Sequence, residues 1–463
     1  MKRFSYFVFA TFCTITTLAQ NPVLSITGGK VQGVCSLDKD VVVYKGIPYA
    51  APPVGELRWK APQPIIPWDG IKEADTFGAA AMQAPHSNDR QVTVKNFGEV
   101  DYVKEFYAEG NPRYSEDCLY LNIWQPAKAK KGDKLPVAFW IHGGAFMGGY
   151  GYEKEFDGDA YAKRGVILVT INYRLGILGF LAHPDLSAEN TNHLSGNYGL
   201  LDQIKALQWV RDNISTFGGN PDNITIFGQS AGAMSVRNLI CSPLTKGMFA
   251  RAIIQSGGGI DDTDRGVVTN TLSGYEKLGK QIFQDKGIKE MRTMTYEELQ
   301  SCFMKYCMDN KTFVMLSPVT DNYTLKKNLA QCINDAEIPS ASYMIGSTRD
   351  DMAFTKMGDN IVNFSLELIK RGHKPAYVYE FYHRLPGDMS GAFHSSELWY
   401  MFGTLRNCWR PMTPADYKLS DEMVDYWTNF MKTGNPNGKG LAEWKPCTTG
   451  IKEVKRLDTR QTN

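Results

Sequence analysis

The sequence has almost no excess of either charge: 51 Lys and Arg stand against 49 Asp and Glu, a formal net charge of +2. A dedicated nucleic-acid binder needs a concentrated basic footprint, so that class of partner is excluded. Beyond residue 19 no apolar run approaches the roughly 20 residues that a membrane-spanning helix requires. Internal repeats, low-complexity tracts and linker-like stretches are also missing, which favours one domain over residues 20–463. Metal-site spacing is absent too, since Cys302 and Cys307 form a C-x4-C step with no paired His nearby. The run from Gly274 to Lys280 approaches a phosphate-loop pattern, but Gln281 stands where Ser or Thr is required and the segment reads as helical.

What is present begins with a leader. Lys2 and Arg3 run into an apolar stretch over 4–18, diluted by Ser5, Thr11, Thr14, Thr16 and Thr17, with Thr17 and Ala19 at small-residue spacing. This is expected to be a signal peptide over 1–19, cleaved after Ala19, which implies an exported protein, periplasmic or secreted. In such an oxidising compartment the eight later cysteines are expected as buried thiols or local pairs.

The rest is ordinary globular composition, 43% apolar and 22% charged, with ample material for a large core. Short β-branched or aromatic runs at 136–141, 166–171, 223–228, 251–256, 342–347 and 376–381 read as buried strands. Between the second and third of these, residues 198–217 place Leu200, Leu201, Ile204, Leu207, Val210 and Ile214 near helical spacing, which predicts a crossover helix. The expected class is α/β, with a mostly parallel central sheet flanked by helices. Region 82–114 is polar, carries no clear period and is too long for a simple loop.

The strongest chemical signal is Gly228-Gln229-Ser230-Ala231-Gly232, a G-x-S-x-G turn between a strand and a helix. The glycines permit a tight, strained turn that projects the Ser230 hydroxyl from the sheet's carboxyl edge and aims the Ala231 N–H at a developing oxyanion. A second strand ends in His142-Gly143-Gly144-Ala145-Phe146, where Gly144 and Ala145 offer further N–H donors. His142 is read as structural. A serine nucleophile needs a base and the base needs an acid, in the chain order Ser, acid, His on this kind of sheet. Of His373, His383 and His394, the Gly-led loop around His394 suits the base. The acid is expected in the loop after strand 342–347, with Asp351 favoured over Asp350.

The chain resembles the type-B carboxylesterases, of a bacterial secreted kind, on motifs that span nearly the whole mature sequence: YKGIPYAAPPVGELRWKAPQP, SEDCLYLN, IHGGAF, NYRLGILGF, FGQSAG, IIQSG and GAFHSSELWYMFG. The resemblance implies an α/β-hydrolase fold, Ser230 as nucleophile, His394 as base, Asp351 as acid, and Gly144, Ala145 and Ala231 as the oxyanion hole. It implies hydrolysis of small-molecule carboxylic esters through an acyl-enzyme, with no metal or organic cofactor. The family's usual acid is Glu, one methylene longer than Asp351. The stretch between Asp351 and His394 is short for the family, so a reduced helical cap and a more open gorge are expected. The partner cysteine the family gives to Cys118 is replaced within GAAAMQ, and no Trp lies between Met82 and Asp117, so choline esters are not the expected substrates. Glu397 and Ser256 are further candidates beside the triad, and Trp399 and Phe402 are candidates for lining an acyl or alcohol pocket. A binding or adhesion scaffold on the same fold is the alternative function; the presence of Ser230, His394 and an acid argues against it.

Overall fold

The computed structural model describes residues 22–86, 100–260, 271–284, 286–351 and 357–459. The leader expected over 1–19 lies outside the described residues, and among those described no helix is long and apolar enough to cross a membrane.

Ten strands form one sheet: β1 (Val34–Cys35), β2 (Val41–Pro48), β3 (Tyr120–Pro126), β4 (Leu135–Ile141), β5 (Ile167–Ile171), β6 (Gly219–Gln229), β7 (Arg251–Gln255), β8 (Ser342–Thr348), β9 (Tyr377–Phe381) and β10 (Lys455–Leu457). Across the sheet they run β1-β2-β3-β5-β4-β6-β7-β8-β9-β10. The pairs from β5 through β10 are parallel, and the β1 to β3 edge joins them antiparallel. All six expected strands are present within a few residues of their expected limits.

Strand periodicity divides the core in two. Along β4, Val137, Phe139 and Ile141 join the core on one face, while Ala138 and Trp140 join the core on the other. Both faces are therefore covered, as a parallel sheet requires. The helix Tyr198–Asn213 covers the first face, ending in a short 3-10 turn to Phe217. The helix Pro414–Thr433 covers the second, with a Thr413 capping box at its start and Gly434 in left-handed conformation at its end. The phosphate-loop-like run lies within the helix Leu272–Phe283.

The order of strands reverses at β4 and β5, so the loops after β4 and β6 open beside one another at the carboxyl edge, where ligands settle in open α/β sheets. The loop after β8 and the segment after β9 reach the same edge, with Asp350 bridging to Phe393. Between Asp351 and His394 the described residues hold one helix, Met357–Lys370, and strand β9.

Candidate active site

Ser230 follows β6 directly and caps the helix Ala231–Cys241, with φ 56° and ψ −125°, a conformation that costs energy in any residue but glycine. Its neighbours make that turn feasible. A Cβ on Gly232 would stand 2.0 Å from the Ile141 carbonyl oxygen, and one on Gly228 would stand 2.5 Å from the carbonyl carbon of Gly232. The Ser230 N–H donates to the Gln255 carbonyl at 2.9 Å, which ties the turn to β7.

The loop after β4 is equally constrained. Gly144, Ala145 and Phe146 all have positive φ, 98°, 54° and 59°. A Cβ on Gly144 would meet the Gly148 carbonyl oxygen at 2.1 Å. The segment after β5 braces this loop: Tyr173 Oη donates to the His142 carbonyl at 2.9 Å, the Gly176 N–H to the Phe146 carbonyl at 2.7 Å, and Asn172 Oδ1 accepts from the Gly151 N–H at 2.8 Å. Gln83 closes the other side, accepting from the Gly149 N–H at 2.8 Å and donating to its carbonyl at 3.0 Å. His142 is buried, stacks on Tyr173 and has its pKa lowered to about 4 by burial, so it stays neutral at ordinary pH.

His394 Nδ1 lies 2.6 Å from Asp351 Oδ1. Thr348 Oγ1 donates to the other oxygen of Asp351 at 3.2 Å. Asp350 takes a different place: its Oδ2 accepts from the Ala392 N–H at 2.9 Å and so anchors the backbone ahead of His394. His383 pairs with Asp416 at 2.6 Å, away from the site, and Tyr102 Oη donates to the His394 carbonyl at 3.0 Å.

A cavity of about 300 Å³ brings Ser230, His394, Gly143, Gly144, Ala145 and Gln229 together. Ala231 is buried at the head of its helix. With Nδ1 protonated toward Asp351, His394 Nε2 accepts from the Gln229 side-chain amide at 3.2 Å, rather than from Ser230. Sequence reasoning left Gln229 aside as the variable position of the turn.

Glu397 is fully buried. Burial, and then the charge of Asp351, raise its carboxyl to about 7. Ser256 is buried as well, with φ 50°, and its N–H donates to the Gly346 carbonyl at 2.8 Å. Trp399 and Phe402 do not line the cavity: Trp399 is buried with its indole N–H on Glu105 at 2.9 Å, and Phe402 packs on Trp140 and Phe156. A buried indole N–H needs an acceptor, and Glu105 supplies it on the core side.

Among the described residues, no disulfide joins the cysteines and no group of three or more His, Cys, Asp or Glu side chains is disposed to hold a metal ion.

This geometry has close counterparts among known proteins. The model of the Carboxylesterase family matches residues 20–362 and 358–463. A para-nitrobenzyl esterase of Bacillus subtilis (strain 168) is 32% identical over 488 residues, covering 94% of this chain and 94% of its own. A fumonisin B1 esterase of Sphingopyxis macrogoltabida is 32% identical over 477 residues, covering 90% and 83%. Among solved structures, a thermophilic pNB esterase superposes with a TM-score of 0.81 at 30% identity, over 95% of this chain and 96% of that one. With a family match along nearly its whole length and the α/β-hydrolase architecture around Ser230, the chain belongs to the carboxylesterase family.

Proposed function

We propose that Ser230, His394 and Asp351 form the catalytic triad of a carboxylic ester hydrolase, with the N–H groups of Gly144, Ala145 and Ala231 as its oxyanion hole. The observation that carries the assignment is the 2.6 Å contact between His394 Nδ1 and Asp351 Oδ1 at the wall of the cavity that Ser230 and Gly144 also line. Asp351 fixes the imidazole in the tautomer whose Nε2 is a base. The Ser230 hydroxyl takes the place of the Gln229 amide at Nε2, gives up its proton there and attacks the ester carbonyl. Catalytic hydrogen bonds of this kind commonly tighten only when substrate is bound. The tetrahedral oxyanion is held by the three N–H donors. Collapse expels the alcohol, which takes the proton from His394, and leaves an acyl-Ser230. Water, deprotonated by the same His394, then releases the carboxylic acid and restores Ser230.

The test is hydrolysis of p-nitrophenyl acetate, butyrate and octanoate, with a p-nitrobenzyl ester included on the strength of the relative so named, by wild type and by Ser230→Ala. Turnover by the wild type alone supports the assignment. Turnover by both removes Ser230 from the mechanism. We further infer that the protein is exported, from Lys2, Arg3 and the apolar stretch after them. N-terminal sequencing of the protein from its native host tests this, with Gln20 expected as the first residue.

A further inference from the structure

The cavity wall beyond the oxyanion loop carries two acids, Glu153 and Glu155, of which Glu155 is 1% exposed and Glu153 6%. Their carboxyls lie close enough for the charge of Glu153 to act on Glu155. Glu153 is well held: its Oε1 accepts from the Tyr150 N–H at 3.1 Å and from Tyr107 Oη at 3.3 Å. Glu155 is not. Its Oε2 is buried and has no hydrogen-bond partner. A buried, unpartnered carboxyl oxygen costs folding free energy, and one that lines a substrate cavity points to a ligand group that completes it.

The electrostatics narrow that group. Burial raises the Glu153 carboxyl to about 7 and the Glu155 carboxyl well above its ordinary range, where the charge of Glu153 adds to burial. Burial thus works against negative charge on both carboxyls, and each acid makes charge on the other costlier. The cation that acts on Glu155 is Lys154, and its ammonium lies over the Trp399 ring. Around the two acids stand Tyr102, Phe106, Tyr107 and Phe156, whose ring faces favour positive charge. Acceptor oxygens among aromatic faces complement a group with several N–H donors and a positive charge.

We propose that Glu153 and Glu155 form a recognition subsite for a protonated amino group, so that the esters this cavity selects carry an ammonium near the scissile bond. The proposal deepens the ester-hydrolase reading of the same cavity and rests on it. An incoming ammonium supplies N–H donors to Glu155 Oε2 and sets an opposite charge against the two carboxyls.

Ligand-observed NMR titration of n-hexylammonium and 1-hexanol onto the full chain carrying Ser230→Ala, near pH 8, measures this without turnover. The two probes have similar shapes, and the alcohol offers a single neutral donor. The ammonium is expected to bind at least about 10-fold more tightly than the alcohol, and the Glu153→Gln, Glu155→Gln double variant is expected to bring the two within about 2-fold. Glu155→Leu, which removes the unpartnered oxygen and leaves Glu153 with its own partners, serves as the second variant and is expected to lose most of the preference. Equal binding of the two probes to the parent chain, or an undiminished preference in both variants, overturns the proposal. Hydrolysis of neutral p-nitrophenyl acetate by wild type is read separately. Turnover there with equal probe binding refutes the subsite alone, whereas absence of turnover on every ester refutes the hydrolase reading.

Discussion

Asp351 and Asp350 are neighbours in sequence and do opposite jobs: Asp351 reaches the His394 ring at 2.6 Å, whereas Asp350 reaches the Ala392 backbone at 2.9 Å. Replacing each by Asn separates the two roles. Asp351→Asn presents an amide donor to Nδ1 and favours the wrong imidazole tautomer, so kcat should fall by about 10⁴-fold with KM little changed. Asp350→Asn keeps an acceptor for the Ala392 N–H, so kcat should stay within a few-fold of wild type. Steady-state kinetics on p-nitrophenyl butyrate checks both. Equal losses would mean that the loop, not the carboxylate on His394, is what matters.

The oxyanion loop gives a second expectation. Gly144 has φ 98°, and a Cβ there would lie 2.1 Å from the Gly148 carbonyl oxygen. Gly144→Ala must therefore move backbone, and the N–H groups of residues 144 and 145 move with it. Loss of one aligned donor costs roughly 10²-fold to 10³-fold in kcat. The variant should show that loss with unchanged KM, while the ester still enters the cavity. An unchanged kcat in a folded protein would place the hole elsewhere.

The parallel strands β4 to β9 were legible because each carries a short β-branched or aromatic run buried on both faces, whereas the polar three-residue β10 was not, and the turn at Ser230 and the glycines after β4 are local features. The antiparallel edge was not. In β2 the polar Lys45 and the left-handed Gly46 interrupt the run, and the pairing with β3 slips register between Tyr44 and Ile47. In β3 the buried Asn122 and Gln125 hide the strand, although Asn122 is satisfied by the Gly46 N–H and by Thr170. The helix Tyr102–Phe106 was hidden in a stretch with no period, because its residues face partners distant in sequence. Glu153 and Glu155 were equally invisible: two acids flanking Lys154 carry no sequence signal for burial, and only the folded loop turns both inward.

Buried acids at the site should make stability depend on pH in an unusual direction. Glu397 has an ordinary pKa near 4.5 when unfolded and about 7 when folded. Between those values the folded state binds more protons than the unfolded state, so stability falls as pH rises through the window and levels off above it. The full cost for Glu397 is on the order of 3 kcal/mol, because each pKa unit is about 1.4 kcal/mol. Glu153, also raised to about 7, contributes in the same direction. Calorimetric melting at about pH 5 and pH 8 should show a lower Tm at the higher pH, and Glu397→Gln, which has no proton to lose, should shrink that difference. An unaltered difference in Glu397→Gln would assign the pH dependence to other groups.

Glu105 holds the helix Tyr102–Phe106 to the segment that follows His394. It is 1% exposed and accepts from the indole N–H groups of Trp399 at 2.9 Å and Trp409 at 2.7 Å, and from Arg410 Nε at 3.0 Å. Phe106 stacks on Trp399 with ring centroids 5.5 Å apart, and Tyr102 of the same helix touches the His394 carbonyl. Arg410 also pairs with Asp388 at 2.8 Å, so one buried guanidinium bridges two carboxylates. Removing one member of a buried ion pair strands its partner's charge and costs about 3–5 kcal/mol. Glu105→Ala should therefore lower the denaturant midpoint strongly and, in the fraction that folds, reduce kcat by loosening His394. Glu105→Gln keeps an acceptor for one indole and should be milder on both measures. If Glu105→Ala unfolds at the wild-type denaturant concentration, the segment after His394 is held by contacts other than those to Glu105, such as Phe106 on Trp399.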